Sequence, residues 1–142
     1  MKACISLFIL VALAMPTGAN AVDDELTSSA EGAQVYFVSP KDGAMLSSPA
    51  HIVFGLVGMS VAPAGVENEN TGHHHLLVDH PVPPLDEAMT IEPGLLHFGG
   101  GQTETTIELT PGAHTLQLIL GDQYHIPHNP PLVSKSITIT VE

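Results

Sequence analysis

Basic residues are almost missing from this sequence. Its 142 residues include only three basic side chains, all lysine, against fifteen aspartates and glutamates, so the formal net charge is −12 with neutral histidines. A phosphate backbone or an anionic membrane surface repels such a chain, whereas cations and basic proteins are attracted over a Debye length of about 10 Å. We therefore expect no nucleic-acid partner.

Cysteine and long apolar runs are also scarce. The single cysteine, Cys4, excludes an internal disulfide framework. It lies in the run ACISLFILVALA, which is too short to span a bilayer, and the small residues ANA at 19–21 suit a signal peptidase. We expect residues 1–21 to be a cleaved signal peptide. The mature protein should be periplasmic or secreted, free of thiols and not stably inserted in a membrane.

Twelve prolines and thirteen glycines leave little room for long helices. Only LDEAMT, residues 85–90, could form one helical turn. Residues 22–32 are acidic and small-polar, which predicts a flexible leader. From residue 33 onward, short apolar or alternating runs are separated by Pro, Gly, Asn and Asp. Six runs are typical of strands: Gln34–Val38, His51–Gly58, His73–Val78, Thr103–Leu109, His114–Leu120 and Ser134–Val141.

This spacing predicts an all-β fold, a single antiparallel immunoglobulin-like β-sandwich over residues 33–142 after the signal peptide. The cysteine and tryptophan hallmarks of antibody domains are absent, so the prediction concerns architecture alone. The last two runs show the clearest alternation of apolar and polar residues. They predict two sets of core side chains: Leu116, Leu118 and Leu120, then Ile137, Ile139 and Val141.

Nine histidines are present, and they are not evenly spread. In GHHHLLVDHP, residues 72–81, strand alternation places His73 and His75 on one face and His74 on the other. His97 begins a glycine-rich turn, and HIPH places His125 and His128 in a loop stiffened by proline.

If these segments converge at one end of the sandwich, several imidazoles can meet there, which suits Zn²⁺, Cu²⁺ or Ni²⁺. The predicted metal ligands are His73, His75, His97, His125 and His128.

The other histidines are interpreted as structural. His51 has the parity of an outward residue, and His114 is expected to be hydrogen-bonded at the edge of the core. His80 is expected to be solvated before a proline-rich turn, while Asp79 could orient an imidazole.

Three segments of the sequence resemble the signature blocks of one family and occur in the same order. They are GHHHLLVD, HFGGGQTETTIELTPGAHTLQLILGD and HIPHNPPLVSKSITITVE. They are similar to the bacterial domain-of-unknown-function family 4399, over about residues 35–142. The resemblance implies an exported domain and no assigned activity. That family usually carries a lysine within HFGKGQTE, where this chain has Gly100. The segment SPKDGAMLSSP is also similar to the start of periplasmic copper-carrier sandwiches.

Three functions are compatible with these features. The first is a module that carries or buffers Cu²⁺ or Zn²⁺ through imidazoles, because the mature chain offers no thiolate. The second is an adhesion or scaffold module that contacts an envelope protein, with surface histidines that sense pH and no metal. The third is a metal-dependent enzyme with Asp79, Asp122 or Glu104 as its acid. The sequence contains no GxSxG motif, catalytic cysteine or phosphate loop.

Overall fold

The computed structural model describes residues 25–142, and within this range the chain forms strands and no helix. The predicted signal peptide and residues 22–24 lie outside the described residues. No described segment is a helix that could cross a bilayer. The nine strands are β1 (Gln34–Ser39), β2 (Met45–Leu46), β3 (Ala50–Val57), β4 (Ser60–Val61), β5 (Thr71–Val78), β6 (Leu95–His97), β7 (Glu104–Ile107), β8 (Gly112–Gly121) and β9 (Ile137–Val141).

The strands form two sheets, which confirms the prediction of an all-β sandwich. The smaller sheet has the order β1-β3-β7, and both of its pairs are antiparallel. The larger sheet has the order β2-β9-β8-β5-β4, with β6 paired to β5. Its long strands pair antiparallel, whereas the two-residue strands β2 and β4 pair parallel with β9 and β5.

The main core lies between the two sheets, where the alternation predicted it. Leu116, Leu118 and Leu120 of β8 are fully buried, and the predicted apolar residues of β9 are buried with them. They pack in one cluster with Ile52 and Phe54 of the smaller sheet. Burial of such side chains contributes about 1.5–3 kcal/mol each to folding.

The opposite face of the larger sheet is covered as well. A second apolar cluster contains Leu77, Met89, Leu95 and Ile119, on the face away from Leu76 and Leu118. Residues 72–77 of β5 are therefore buried without interruption. This outer face carries the odd-numbered residues of β5, which include two of the predicted metal ligands.

The strand boundaries differ from the prediction in places that have physical causes. The last strand begins at Ile137 rather than Ser134, because the Ser134 hydroxyl accepts the Leu118 N–H and interrupts a regular ladder. Strands β2, β4 and β6 were not predicted, since two or three residues are too few to show alternation. The helical turn predicted at 85–90 is wrong, and residues 85–87 form only bends. A single turn repays the ordering of its backbone with too few hydrogen bonds.

Residues 27–29, which the sequence analysis assigns to the leader, are hydrogen-bonded to the rest of the fold. The Asn129 N–H donates to the Thr27 carbonyl at 2.9 Å, and the Ser29 N–H donates to the Asn129 carbonyl at 3.1 Å. The Thr27 hydroxyl donates to Oδ2 of Asp122 at 2.6 Å. This segment therefore fastens the loop that follows β8.

Candidate metal site

Strand β5 presents two imidazoles to the outer face of the larger sheet. The rings of His73 and His75 lie side by side, with centroids 4.7 Å apart. His74 points into the core, where its ring centroid is 5.1 Å from that of Phe54. The predicted alternation of the three histidines is confirmed by these contacts.

Strand β6 adds a third imidazole from a distant part of the sequence. His97 pairs directly with His75 across the two antiparallel strands, and their ring centroids are 5.1 Å apart. Its Nε2 lies 3.2 Å from Nε2 of His73. Two nitrogens on one tetrahedral zinc ion, each bound at about 2.0–2.1 Å, are about 3.3 Å apart. The spacing of these two nitrogens matches that of metal ligands.

The loop after β8 supplies the fourth ring. His125 has a positive φ of 69°, which is uncommon for a residue with a side chain. Oδ1 of Asp122 accepts the N–H groups of Tyr124 and Ile126, both at 2.9 Å, and the His125 N–H donates to the Asp122 carbonyl at 3.0 Å. The His125 carbonyl accepts the Met89 N–H at 2.9 Å. These bonds hold His125 over the sheet.

Three of the rings could hold one metal ion. The ligand atoms of His73, His97 and His125 all lie within 4.8 Å of one another. We call these residues the histidine triad. They come from β5, β6 and a loop, so only the folded chain brings them together. The triad lies over the outer face of the larger sheet rather than at an end of the sandwich.

The remaining two predicted ligands occupy different positions. His75 lies beside the triad, but its ring centroid is 6.1 Å from that of His125. His128 does not join it. A Cβ on Gly72 would be 2.9 Å from Cε1 of His128, and Gly72 faces the core side of β5. Nε2 of His128 lies 3.1 Å from the Thr71 carbonyl and is available to donate to it.

Burial lowers the pKa of three imidazoles in the cluster, those of His73, His75 and His97. It lowers the pKa of His73 to about 4, with further lowering by the charges of His97 and His125. It lowers the pKa of His75 to about 3, assisted by repulsion from the neighbouring histidines. The pKa of His97 is also lowered, by burial and then by His125. Near neutral pH these three rings are therefore unprotonated. Their nitrogen lone pairs are available to a metal ion, because few protons compete for them.

Several buried ring nitrogens lack a hydrogen-bond partner among the described residues. They are Nδ1 of His73, both nitrogens of His74, both of His75 and Nδ1 of His128. An unpaired buried polar group costs about 1–3 kcal/mol. On the outer face, the two unpartnered nitrogens of His75 lie beside the triad, where a metal ion could offset part of this cost.

Two glycines make room for the rings. A Cβ on Gly99 would overlap the ring of His97, lying 2.6 Å from its Nε2. A Cβ on Gly121 would lie 2.8 Å from Cε1 of His75 and 3.0 Å from the methyl carbon of Met89. Neither glycine was predicted to have a role at the site. For Gly99, the glycine-rich turn that follows His97 could have indicated this role.

Asp122 holds the loop that carries His125, a role that was not predicted from the sequence. It was considered only as a catalytic acid, yet its carboxylate is buried and accepts bonds from Thr27, Tyr124 and Ile126. An aspartate that opens a turn commonly accepts N–H groups of the following residues, and GDQYHI contains that signal.

The remaining histidines form separate pairs. Nε2 of His114 is hydrogen-bonded to the Thr110 carbonyl at 2.7 Å and its Nδ1 to Oδ2 of Asp79 at 2.6 Å, and these bonds raise the pKa of His114. Asp79 therefore contacts an imidazole, but it is that of His114 and not that of a predicted metal ligand. His51 is exposed, as predicted, and its Nε2 is 2.7 Å from Glu104. The prediction that His80 is solvated is wrong, because its side chain is only 15% exposed and lies 3.2 Å from Glu92.

One comparison with known proteins identifies a family. The family model described as "Domain of unknown function (DUF4399)" matches residues 52–142, which include most of β3, all of β4 to β9 and the whole histidine triad. No curated protein and no solved structure matches the chain. Because the match covers more than half of the sequence, the chain belongs to this domain-of-unknown-function family.

Proposed function

We propose that this chain is an exported module that binds one divalent transition-metal ion, Cu²⁺ or Zn²⁺, and carries or buffers it. The observation that carries the proposal is the convergence of His73, His97 and His125, whose ligand atoms lie within 4.8 Å of one another. His75 is the candidate fourth ligand. His128 is left out because it faces the Thr71 carbonyl.

The donor set favours this class of ion. Imidazole nitrogens suit zinc and copper, whereas magnesium and calcium prefer oxygen ligands. No carboxylate belongs to the triad. Three neutral imidazoles leave the charge of a divalent ion uncompensated by ligands, but the surplus of acidic residues favours its approach.

The surrounding residues support the same role. Strand pairing fixes His73 and His97, while the Asp122 carboxylate fixes the backbone that carries His125. Rigid placement means that little side-chain entropy is lost when an ion binds. When bound, the ion would supply a partner for one ring nitrogen of His75, whose two nitrogens have none among the described residues.

Calorimetric titration with single-histidine variants tests the proposal. His73→Ala, His97→Ala and His125→Ala should each weaken Zn²⁺ or Cu²⁺ binding by more than the roughly 10–100-fold that loss of an outer-sphere partner costs. His51→Ala is the matched control, because His51 is exposed on the other sheet and should leave affinity unchanged.

The double variant separates a shared site from independent histidines. Replacing His73 and His97 together should cost far less than the sum of the single losses, because ligands of one ion are not independent. If His51→Ala and the triad variants bind metal alike, the metal proposal is wrong. A metal-free envelope module would then be the better interpretation.

A further inference from the structure

A groove separate from the histidine triad opens between the edges of the two sheets. One wall is formed by residues 33–37 and 40–42, and the other by residues 131–135 and 137. The volume is about 460 Å³, which lies within the roughly 300–1,000 Å³ of small-molecule sites. We call it the lysine groove, and it contains none of the histidine triad.

The position of this groove follows from the sheet topology. Strand β1 is the last strand of the smaller sheet, so one of its edges has no neighbouring strand in that sheet. On the other side, the Leu132 carbonyl accepts the Leu120 N–H and the Ser134 N–H donates to Leu118. These bonds attach the second wall to β8. The groove therefore lies between β1 of the smaller sheet and the segment of residues 131–135 that is attached to the larger sheet.

The base of the groove is apolar. Val35, Phe37, Leu132 and Ile137 line it, and all four also belong to the main core cluster. An apolar group in the groove would continue the core outward and lose its contact with water.

Both lysines of the described chain line this one groove. Lys41 and Lys135 lie on opposite walls, and the sequence has no arginine. Among the described residues, neither forms a salt bridge with a carboxylate, although the sequence contains fifteen acidic residues. The groove thus concentrates the lysine charge of a strongly acidic protein.

One carboxylate also lines the groove. Asp42 accepts the Thr138 N–H at 2.8 Å through Oδ1, which holds it against β9. Two ammonium groups and one carboxylate leave one net positive charge. A ligand with a single negative charge would balance it.

We infer that the lysine groove binds a small organic anion with an apolar body and one carboxylate group. The apolar body lies on Val35, Phe37, Leu132 and Ile137, and the carboxylate lies between Lys41 and Lys135. This inference does not depend on metal binding, because the two sites share no residue.

Titration with three probes of equal chain length tests the inference. Octanoate should bind saturably, octanol at least about tenfold more weakly, and octyltrimethylammonium more weakly still, because each charge-assisted hydrogen bond corresponds to about one factor of ten. Methyl NMR should place the shifts at Val35, Leu132 and Ile137. Equal affinity for octanoate and octanol, or no saturable octanoate binding, would overturn the inference.

Charge variants provide the decisive control. Lys41→Gln and Lys135→Gln should each weaken octanoate binding by about tenfold and leave octanol unchanged. Thr106→Glu changes the net charge by the same amount on β7, at the opposite edge of the smaller sheet, and should change octanoate affinity by less than about twofold. If the lysine variants behave like Thr106→Glu, the groove has no anion site.

Discussion

At the scale of single residues, a glycine leaves the space that an imidazole ring needs, because it has no side chain. The His97 ring occupies the space that a Cβ on Gly99 would need. The next residue differs, because the three atoms nearest to a Cβ on Gly100 would belong to the side chain of Gln102, at 3.0–3.2 Å. A flexible glutamine can move away. Replacing one or the other of these neighbouring glycines should therefore affect the histidine triad differently.

We predict that Gly99→Ala weakens metal binding by roughly 10–100-fold, the range for loss of an outer-sphere partner, because the new methyl group displaces the His97 ring. Gly100→Ala is the matched control and should bind metal as the wild type does. Competition with a chromophoric chelator measures both affinities. Equal affinities for the two variants would show that Gly99 does not position His97.

His74 is a buried histidine on the core side of β5. It is fully inaccessible, and burial lowers its pKa to about 4 from an ordinary value of 6.5. Between these two pH values the unfolded chain binds a proton that the folded chain does not. The free energy of unfolding therefore falls as the pH drops through this range and is highest above it.

We predict that His74 contributes up to about 1.4 kcal/mol per pH unit to this fall. His74→Leu should remove that contribution between pH 6.5 and 4, the range set by the lowered pKa. Urea unfolding of chelator-treated protein at several pH values measures the slope. An unchanged slope in the variant would mean that His74 is not kept neutral by the fold.

At the scale of elements, alternation in long strands could be predicted from the sequence, and short strands could not. The apolar residues of β8 and β9 repeat every second position, so their buried faces follow directly. The three residues of β6 show no such pattern, yet pairing with β5 places His97 opposite His75. That pairing depends on residues far apart in the sequence.

We predict that Leu118→Ala lowers the free energy of unfolding by about 2–5 kcal/mol, because the removed side chain is fully buried in the main core. Thr138→Ala should have little effect, since Thr138 is exposed and its hydrogen bond to Asp42 uses the backbone N–H. Urea denaturation compares the two variants. Similar losses would contradict the assigned faces of the larger sheet.

At the scale of the whole molecule, the fold class and part of the candidate site could be predicted. Strand parity alone placed His73 beside His75. The approach of His125 depends on hydrogen bonds from its loop to Asp122, and the separation of His128 depends on its contacts near Thr71. Spacing within HIPH carries no information about either. The sequence thus predicted the histidine blocks better than it predicted which of their members meet.

The central claim is that the histidine triad binds a divalent transition metal in the folded state. Thermal melts of the chelator-stripped protein, with and without Cu²⁺, Zn²⁺ or Ni²⁺ at pH 7.5, test it most directly. An ion that binds only the folded chain, at 100 times its Kd, stabilises it by about 2.7 kcal/mol. We predict a Tm increase of roughly 10 °C with at least one ion, absent in His97→Ala. A wild-type Tm that none of the three ions changes would contradict the claim.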